Sequence, residues 1–394
     1  MCISLGRIAL PLGSLVIAAL AVIAGLLTIG EASAGTGRAA APSGASLRVA
    51  LTRLVATGTA PGALAVVRDG ARSVVVTKGT ADATRRRAPG RGQAVRVGSV
   101  TKTFVATLVL QLVADRTLRL DDTVERWLPG MLPRGREISI RSLLQHTSGL
   151  PDHLSGPGAA SLLAPLLRDP GHRFSPVELV RSVSRRPLLF PPGSGWAYSN
   201  TDYVLLGLIV EAATGRPLAR TLDRRIARPL GLRHTWLAGD AFMPGASMHG
   251  YLLAGNELVP VAARRPRDVT RTDPSFTWAA GAVTSSAPDI GRFYRALLGG
   301  RLLPTSLLQE MTRARPLAGG TGYGLGLLRL DTPCGPLYGH DGETLGYTTM
   351  ALATRDGRRS VVVTVNTSHR PLGGTPLVGL LASLARDTLC PASR

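Results

Sequence analysis

Hydrophobic residues follow two spacings along the chain, one typical of helices and the other of strands. Apolar residues recur every three or four positions over residues 46–57, which predicts a helix. Two short apolar runs, 63–67 and 73–77, flank the turn sequence Arg68-Asp69-Gly70 and predict a hairpin. The almost continuously apolar segment 100–114 predicts a buried helix.

The C-terminal part of the chain returns to strand patterns. Residues 325–330, 347–354 and 360–366 are predicted strands, and the last two flank the turn sequence Arg355-Asp356-Gly357. Residues 377–389 predict a closing helix.

Residues from about 116 to 275 read as helical segments interrupted by Pro and Gly. Strands at both ends with helices between them predict an α/β fold of the α+β type. We expect one antiparallel sheet flanked by helices, with a mostly helical subdomain inserted at 116–275. The expected domain covers residues 46–390 and follows a small-residue linker at 35–45.

The N-terminus has the pattern of a targeting segment. Arg7 precedes an apolar run over residues 8–30, and Ala32-Ser33-Ala34 follows as a small-x-small cleavage pattern. We expect residues 1–34 to be a signal peptide, and the alternative is an uncleaved anchor helix. Either reading puts the rest of the chain outside the cytoplasm, as a secreted, cell-wall-associated or membrane-anchored protein.

Length and composition narrow the class of protein. The chain has 394 residues, 44% of them hydrophobic and 18% charged, which suits a large core and excludes a disordered protein. Three cysteines exclude a disulfide-dense fold. Removal of residues 1–34 would leave Cys334 and Cys390, and in an oxidising compartment this pair predicts one disulfide. Two buried free thiols are the alternative.

The net charge of +21 comes from 46 basic and 25 acidic residues, and all the basic residues except Lys78 and Lys102 are arginine. This bias fits either the codon usage of a GC-rich genome or attraction to an anionic surface. Aromatic residues make up only 4% of the chain, too few for a base-stacking platform, so we expect no nucleic-acid partner.

One of the two lysines lies three residues after a serine, in Ser99-Val100-Thr101-Lys102 at the start of the predicted helix. Residues i and i+3 share a helix face, so the amine can reach the hydroxyl. A desolvated lysine can act as a base, whereas arginine cannot release its proton. The alternative is a helix-capping Ser99 followed by a solvated Lys102.

Two further segments carry candidate chemistry. Tyr198 and Asn200 are two residues apart and follow a Pro/Gly-rich loop. A tyrosine beside a lysine cation can have a lowered pKa and act as a base. His340, in His340-Asp341-Gly342-Glu343, can donate a hydrogen bond or a proton. Each of these residues also has a purely structural alternative.

Together the segments resemble the S-x-x-K, Y-x-N and K/H-x-G motifs of the serine penicillin-recognising hydrolases. The resemblance is to the branch with class C β-lactamases, D-alanyl-D-alanine carboxypeptidases and esterases, and it covers about residues 46–390. Neighbouring segments match this family too: Arg96-Val97-Gly98, Leu144-Gln145-His146-Thr147-Ser148-Gly149-Leu150, Ala280-Gly281 and Tyr323-Gly324-Leu325-Gly326.

The resemblance implies a β-lactamase/transpeptidase-like fold and an acyl-enzyme on Ser99. Lys102 and Tyr198 would transfer protons, Asn200 would bond in the cleft, and His340 would replace the usual lysine. The backbone N–H groups of Ser99 and of Glu343, on the edge strand, would form the oxyanion hole, and Gly342 would border the substrate in the same segment.

Asp341 and Glu343 occupy positions where relatives commonly carry hydroxyl side chains. Alternate strand residues share a face, so both acids can border the cleft and repel a substrate carboxylate. We therefore expect a preference for neutral or amine-bearing esters and amides over free-acid peptides.

Other classes of protein fit less well. The chain has no G-x-S-x-G elbow and no H-E-x-x-H zinc motif, so an α/β-hydrolase and a zinc protease are disfavoured. We expect no cofactor, no metal, a monomer, and a small-molecule or peptide acyl substrate. The open alternatives are an esterase or D-amino-acid amidase of the same family, and an inactive cell-wall binding protein.

Overall fold

The computed structural model describes residues 44–155, 159–243, 246–253, 266–368 and 377–391. The expected signal peptide and the first nine residues of the expected linker lie outside these ranges. Gly44 and Ala45, which we expected in the linker, begin the first helix. Within the described ranges, no helix is both long and apolar enough to cross a membrane.

An eight-stranded antiparallel sheet forms the centre of the molecule. In chain order the strands of this sheet and of two smaller sheets are β1 Gly62–Asp69, β2 Arg72–Gly79, β3 Ala94–Arg96, β4 Trp236–Leu237, β5 Tyr251–Leu252, β6 Arg267–Asp268, β7 Val283–Ser286, β8 Arg315–Leu317, β9 Thr321–Tyr323, β10 Leu328–Leu330, β11 Leu337–Thr344, β12 Tyr347–Thr354 and β13 Arg359–Val365. Strands β3, β7 and β4 form a separate three-stranded sheet, and β5 and β6 form a two-stranded one. The large sheet has the order β2-β1-β13-β12-β11-β10-β9-β8. The pairing of β1 with β13 joins the two ends of the chain.

Helices cover both faces of this sheet. They are α1 Gly44–Ala56, α2 Val100–Ala114, α3 Val124–Trp127, α4 Ile140–Leu144, α5 Ala159–Arg168, α6 Pro176–Arg181, α7 Asn200–Thr214, α8 Leu218–Leu222, α9 Ala287–Leu298, α10 Thr305–Thr312 and α11 Leu377–Leu389. Helices α1 and α11 pack on one face, where they bury apolar residues of β1, β12 and β13. Helices α2 and α9 pack on the other face.

Helix α2 lies in the core of the molecule, and most of its residues are apolar on all sides of the helix. It is buried along nearly its whole length, between the sheet and helix α7. A helix without a polar face can remove its apolar side chains from water only when it is buried inside a core. Its first turn, which carries the serine–lysine pair, is therefore held rigidly at the boundary between the sheet and the helices.

The predicted fold class is confirmed: helices flank an antiparallel sheet built from both ends of the chain. The structure corrects one strand. We expected 325–330, but β10 begins only at Leu328, because Gly326 has φ 74° and leaves the extended conformation. The segment expected to be helical also contains the short strands β4, β5 and β6.

Cys334 and Cys390 form the expected disulfide, with their Cα atoms 5.6 Å apart. The bond ties the turn between β10 and β11 to the end of α11 across 56 residues of sequence. Closing a loop of this length contributes about 4 kcal/mol in the chain-entropy account. The disulfide therefore secures the strand that continues into the His340 segment.

Candidate active site

Ser99 and Lys102 meet at the start of α2. The Lys102 Nζ atom lies 3.0 Å from Ser99 Oγ, as expected for residues one helical turn apart. Ser99 is half-buried, and its side chain makes no capping bond to the helix. The alternative reading of Ser99 as a simple helix cap is therefore wrong.

Lys102 is completely buried, so the reading of a solvated lysine is also wrong. Its ammonium group donates to Ser99 Oγ, to Asn200 Oδ1 at 2.7 Å and to the Ala280 carbonyl at 2.9 Å. Burial lowers the pKa of Lys102 to about 7, although the Asp152 charge acts in the opposite direction. A substantial fraction is therefore uncharged near neutral pH and can accept a proton from Ser99.

Tyr198 lies beside this pair on the loop before α7, with its ring centroid 4.7 Å from Lys102 Nζ. Burial and the Asp341 charge raise the pKa of Tyr198 well above its usual value. The lowered pKa expected from the sequence is therefore wrong. Tyr198 is a neutral phenol at physiological pH, suited to donating a proton rather than starting the reaction as a phenolate.

Asn200 is the first residue of α7, so Tyr198 and Asn200 stand on two sides of a loop-to-helix junction. The Asn200 Nδ2 group donates to both carboxylate oxygens of Asp152, at 3.2 and 3.1 Å. Because the amide nitrogen points to Asp152, Oδ1 points to Lys102. Sequence reasoning missed Asp152, although it lies only two residues after the quoted Leu144–Leu150 segment.

The C-terminal part of β11 pairs with β12 along one edge, and its other edge faces the serine turn. Strand β10 pairs with β11 only as far as Gly339, and residues 340–344 extend beyond it. A Cβ atom on Gly98 would lie 2.6 Å from the Glu343 nitrogen, and one on Gly342 would lie 3.0 Å from the Ser99 nitrogen. Only glycines allow this approach, which brings the two backbone segments side by side.

His340 lies in this part of β11 and is buried, and both of its ring nitrogens are engaged. Nδ1 donates to the Asp341 carbonyl at 2.6 Å, because a carbonyl can only accept. Nε2 therefore accepts from the Tyr323 hydroxyl at 2.9 Å. Both ring nitrogens of His340 thus have partners within the protein, and its link to the site runs through Tyr323. The role of His340 toward a substrate stays a prediction.

Asp341 and Glu343 share the face of β11 opposite His340 and Gly342, as the strand alternation predicts. The Asp341 side chain is 17% exposed. Its charge raises the pKa of both Lys102 and Tyr198. Asp341 is therefore close enough to act electrostatically on the serine–lysine pair.

A buried polar layer lies behind Tyr198. The His146 ring packs 4.4 Å from the Tyr198 ring, and His146 Nδ1 lies 2.9 Å from Asp202 Oδ2. Ser148 donates to the other oxygen of Asp202 at 2.5 Å. Burial lowers the pKa of His146 and raises the pKa of Asp202, so it disfavours the charged form of each group. This layer packs behind Tyr198 and supports its ring.

These groups combine a hydroxyl, a buried amine with a lowered pKa, a neutral phenol and adjacent backbone N–H groups, as acyl transfer requires. Among the residues that the structure describes, no three or more His, Cys, Asp or Glu side chains are grouped to hold a metal ion.

Comparisons with known proteins agree with this chemistry. The chain is 32% identical to esterase EstB of Burkholderia gladioli over 81% of this chain and 89% of that protein. It also resembles a D-stereospecific amidohydrolase from Streptomyces sp., with 36% identity, a TM-score of 0.79 and coverage of 89% and 100% of the two chains.

D-amino acid amidase from Ochrobactrum anthropi SV3, solved with L-phenylalanine amide, is 29% identical with a TM-score of 0.76, over 88% of this chain and 97% of that one. The model of the family described as Beta-lactamase matches residues 47–383. The family match spans most of the chain and includes the serine–lysine, tyrosine–asparagine and histidine–glycine segments. The chain therefore belongs to the Beta-lactamase family of serine hydrolases.

Proposed function

We propose that this protein is a secreted serine hydrolase that cleaves an amide or ester bond through an acyl-enzyme on Ser99. The observation that carries the proposal is the 3.0 Å contact between Ser99 Oγ and the buried amine of Lys102, whose pKa is lowered to about 7. The uncharged amine takes the hydroxyl proton while Ser99 Oγ forms a bond to the substrate carbonyl carbon.

The developing oxyanion would bind the backbone N–H groups of Ser99 and Glu343. Support comes from Gly98 and Gly342, which let the serine turn and β11 approach at backbone distance. Two preorganised backbone donors in a site with little water are among the strongest sources of transition-state stabilisation.

Breakdown of the tetrahedral intermediate requires a proton for the leaving amine or alcohol. Tyr198 would supply it from its neutral hydroxyl and regain a proton from the Lys102 ammonium, which returns the pair to its starting state. Water would then attack the acyl-enzyme by the same steps in reverse, releasing the acid and restoring Ser99.

The substrate we favour is a neutral or amine-bearing ester or amide. Asp341 and Glu343 place two carboxylates along β11, and the field of Asp341 reaches Lys102. A substrate carboxylate at this strand would meet like charge, whereas an ammonium group would meet opposite charge. The esterase and amidase names of the relatives above support this reading.

The complete serine–lysine–tyrosine arrangement also favours an enzyme over an inactive cell-wall binding protein. Secretion rests on the signal-peptide pattern at 1–34 and agrees with a disulfide between Cys334 and Cys390, since such bonds persist in oxidising compartments.

Replacing Ser99 by alanine removes the nucleophile, so covalent labelling by a fluorophosphonate should disappear and ester turnover should fall roughly a millionfold. Intact-protein and peptide mass spectrometry would locate the adduct. Ser182→Ala, at an exposed serine outside the site described above, is the control for general loss of a hydroxyl. Labelling that persists in Ser99→Ala would refute the assigned nucleophile.

Replacing Lys102 by arginine keeps a positive charge but removes the releasable proton, so acylation should fall by about a hundredfold to ten-thousandfold. Lys78→Arg is a matched control, because it changes the only other lysine of the chain. Circular dichroism would confirm folding of both variants. Near-normal turnover of p-nitrophenyl acetate by folded Lys102→Arg would show that the role is only electrostatic.

Replacing Asp341 by threonine removes one carboxylate from β11, so the ratio of kcat/KM for a free-acid peptide to that for its amide should rise about tenfold. Asp387→Thr, which removes an exposed acid on α11, serves as the control for net charge. A wild-type preference for the free acid that the substitution leaves unchanged would favour a carboxypeptidase instead.

A further inference from the structure

We propose that Asp152 is a positioning residue for the Ser99–Lys102 chemistry: it fixes the Asn200 amide with Oδ1 toward Lys102 and holds a buried negative charge near the lysine. The inference rests on the proposed function for its catalytic meaning. Its test measures the titration of the Lys102 amine directly and does not depend on turnover.

Asp152 is only 6% exposed and lies in the loop that follows α4. Its Oδ1 accepts from the backbone nitrogens of Leu154, at 3.0 Å, and Asn200, at 3.2 Å. Both carboxylate oxygens also accept from Asn200 Nδ2. The carboxylate therefore holds both the backbone and the side chain of Asn200, although 48 residues separate the two in sequence.

This double attachment determines which end of the amide faces the amine. An ionised carboxylate can only accept hydrogen bonds, so it binds the NH₂ end of Asn200 and leaves the carbonyl end for Lys102 Nζ, 2.7 Å away. The reversed amide would place two sets of donors against each other. Asp152 thus makes Asn200 an acceptor for the lysine.

The same carboxylate opposes the effect of burial on Lys102. The ionisable groups around the amine are His146, Asp152 and His153 in the loop after α4, Tyr198 before α7, Asp202 and Tyr203 on α7, and Asp341 on β11. Among the charges, Asp152 contributes most to raising the pKa of Lys102. The charges of Asp341 and Asp202 act in the same direction but raise the pKa of Lys102 less.

A purely structural role of Asp152 predicts a loss of stability with no change in the proton affinity of Lys102. Through its bond to the Leu154 nitrogen, Asp152 also stabilises its own turn, so its replacement will lower stability under either account. Only the positioning role predicts a change in the proton affinity of Lys102. Loss of the negative charge, or reversal of the Asn200 amide, destabilises the ammonium form and moves the titration to lower pH.

The experiment is an NMR titration of protein labelled with [¹³Cε]lysine. The chain has two lysines, so two signals are expected, and Lys78→Arg assigns them. In Asp152→Asn the Lys102 midpoint should move about one pH unit below the wild-type value. Asp152→Ser, a second neutral variant that can still accept a bond from Asn200, should show the same direction.

Asp289→Asn is the matched control, because Asp289 is also a buried carboxylate that accepts bonds from backbone and side-chain donors, but near His234 and Thr235. Its Lys102 midpoint should equal the wild-type value. An unchanged or raised midpoint in a folded neutral variant at position 152 would overturn the inference. Absence of Ser99 labelling in the wild type would instead refute the proposed function and leave this titration valid.

Discussion

Removal of one lysine side chain from water is the constraint on which the site depends. An isolated buried ammonium group is strongly unfavourable, so the protein must either surround it with acceptors or let it lose its proton. Lys102 does both: three oxygen acceptors fit its three N–H bonds, yet burial still lowers its pKa to about 7. The lysine is thus balanced between its two protonation states near neutral pH.

The fold supplies this burial by bringing distant segments around the start of α2. The Asn200 acceptor comes from α7, the Ala280 carbonyl comes from the turn before β7, and β11 approaches the serine turn from the sheet. The pairing of β1 with β13 and the disulfide at the end of α11 hold the sheet in place. Stability of the sheet and reactivity of Ser99 are therefore linked through β11.

The sequence was most informative where an apolar pattern extends over many residues or where a motif contains several characteristic residues close together. The bounds of α2 and α11 match the predicted helices, because an apolar pattern of more than ten residues is too long for a typical strand and indicates a helix. Strands such as β4 and β7 are too short to show a period, and the sheet they form depends on contacts between distant segments.

The motifs identified Ser99, Lys102, Tyr198 and Asn200, but not their environment. Whether the pKa of Tyr198 rises or falls depends on burial, which no local pattern reveals, and here burial prevails. The partners of His340 and Asn200, which are Tyr323 and Asp152, lie 17 and 48 residues away along the chain, so these contacts became visible only in three dimensions. Tertiary contacts decide these hydrogen-bond partners and the pKa of Tyr198.

The central claim is that uncharged Lys102 activates Ser99, and the pH dependence of wild-type acylation tests it most directly. The second-order rate constant for labelling of Ser99 by a fluorophosphonate would be measured from pH 5 to pH 10, with mass spectrometry as the readout. The account predicts a tenfold rise per pH unit at low pH, a midpoint near the Lys102 pKa of about 7, and a plateau above it. A rate that is constant through this range, or that rises only near the ordinary pKa of lysine at about 10.4, would contradict the account.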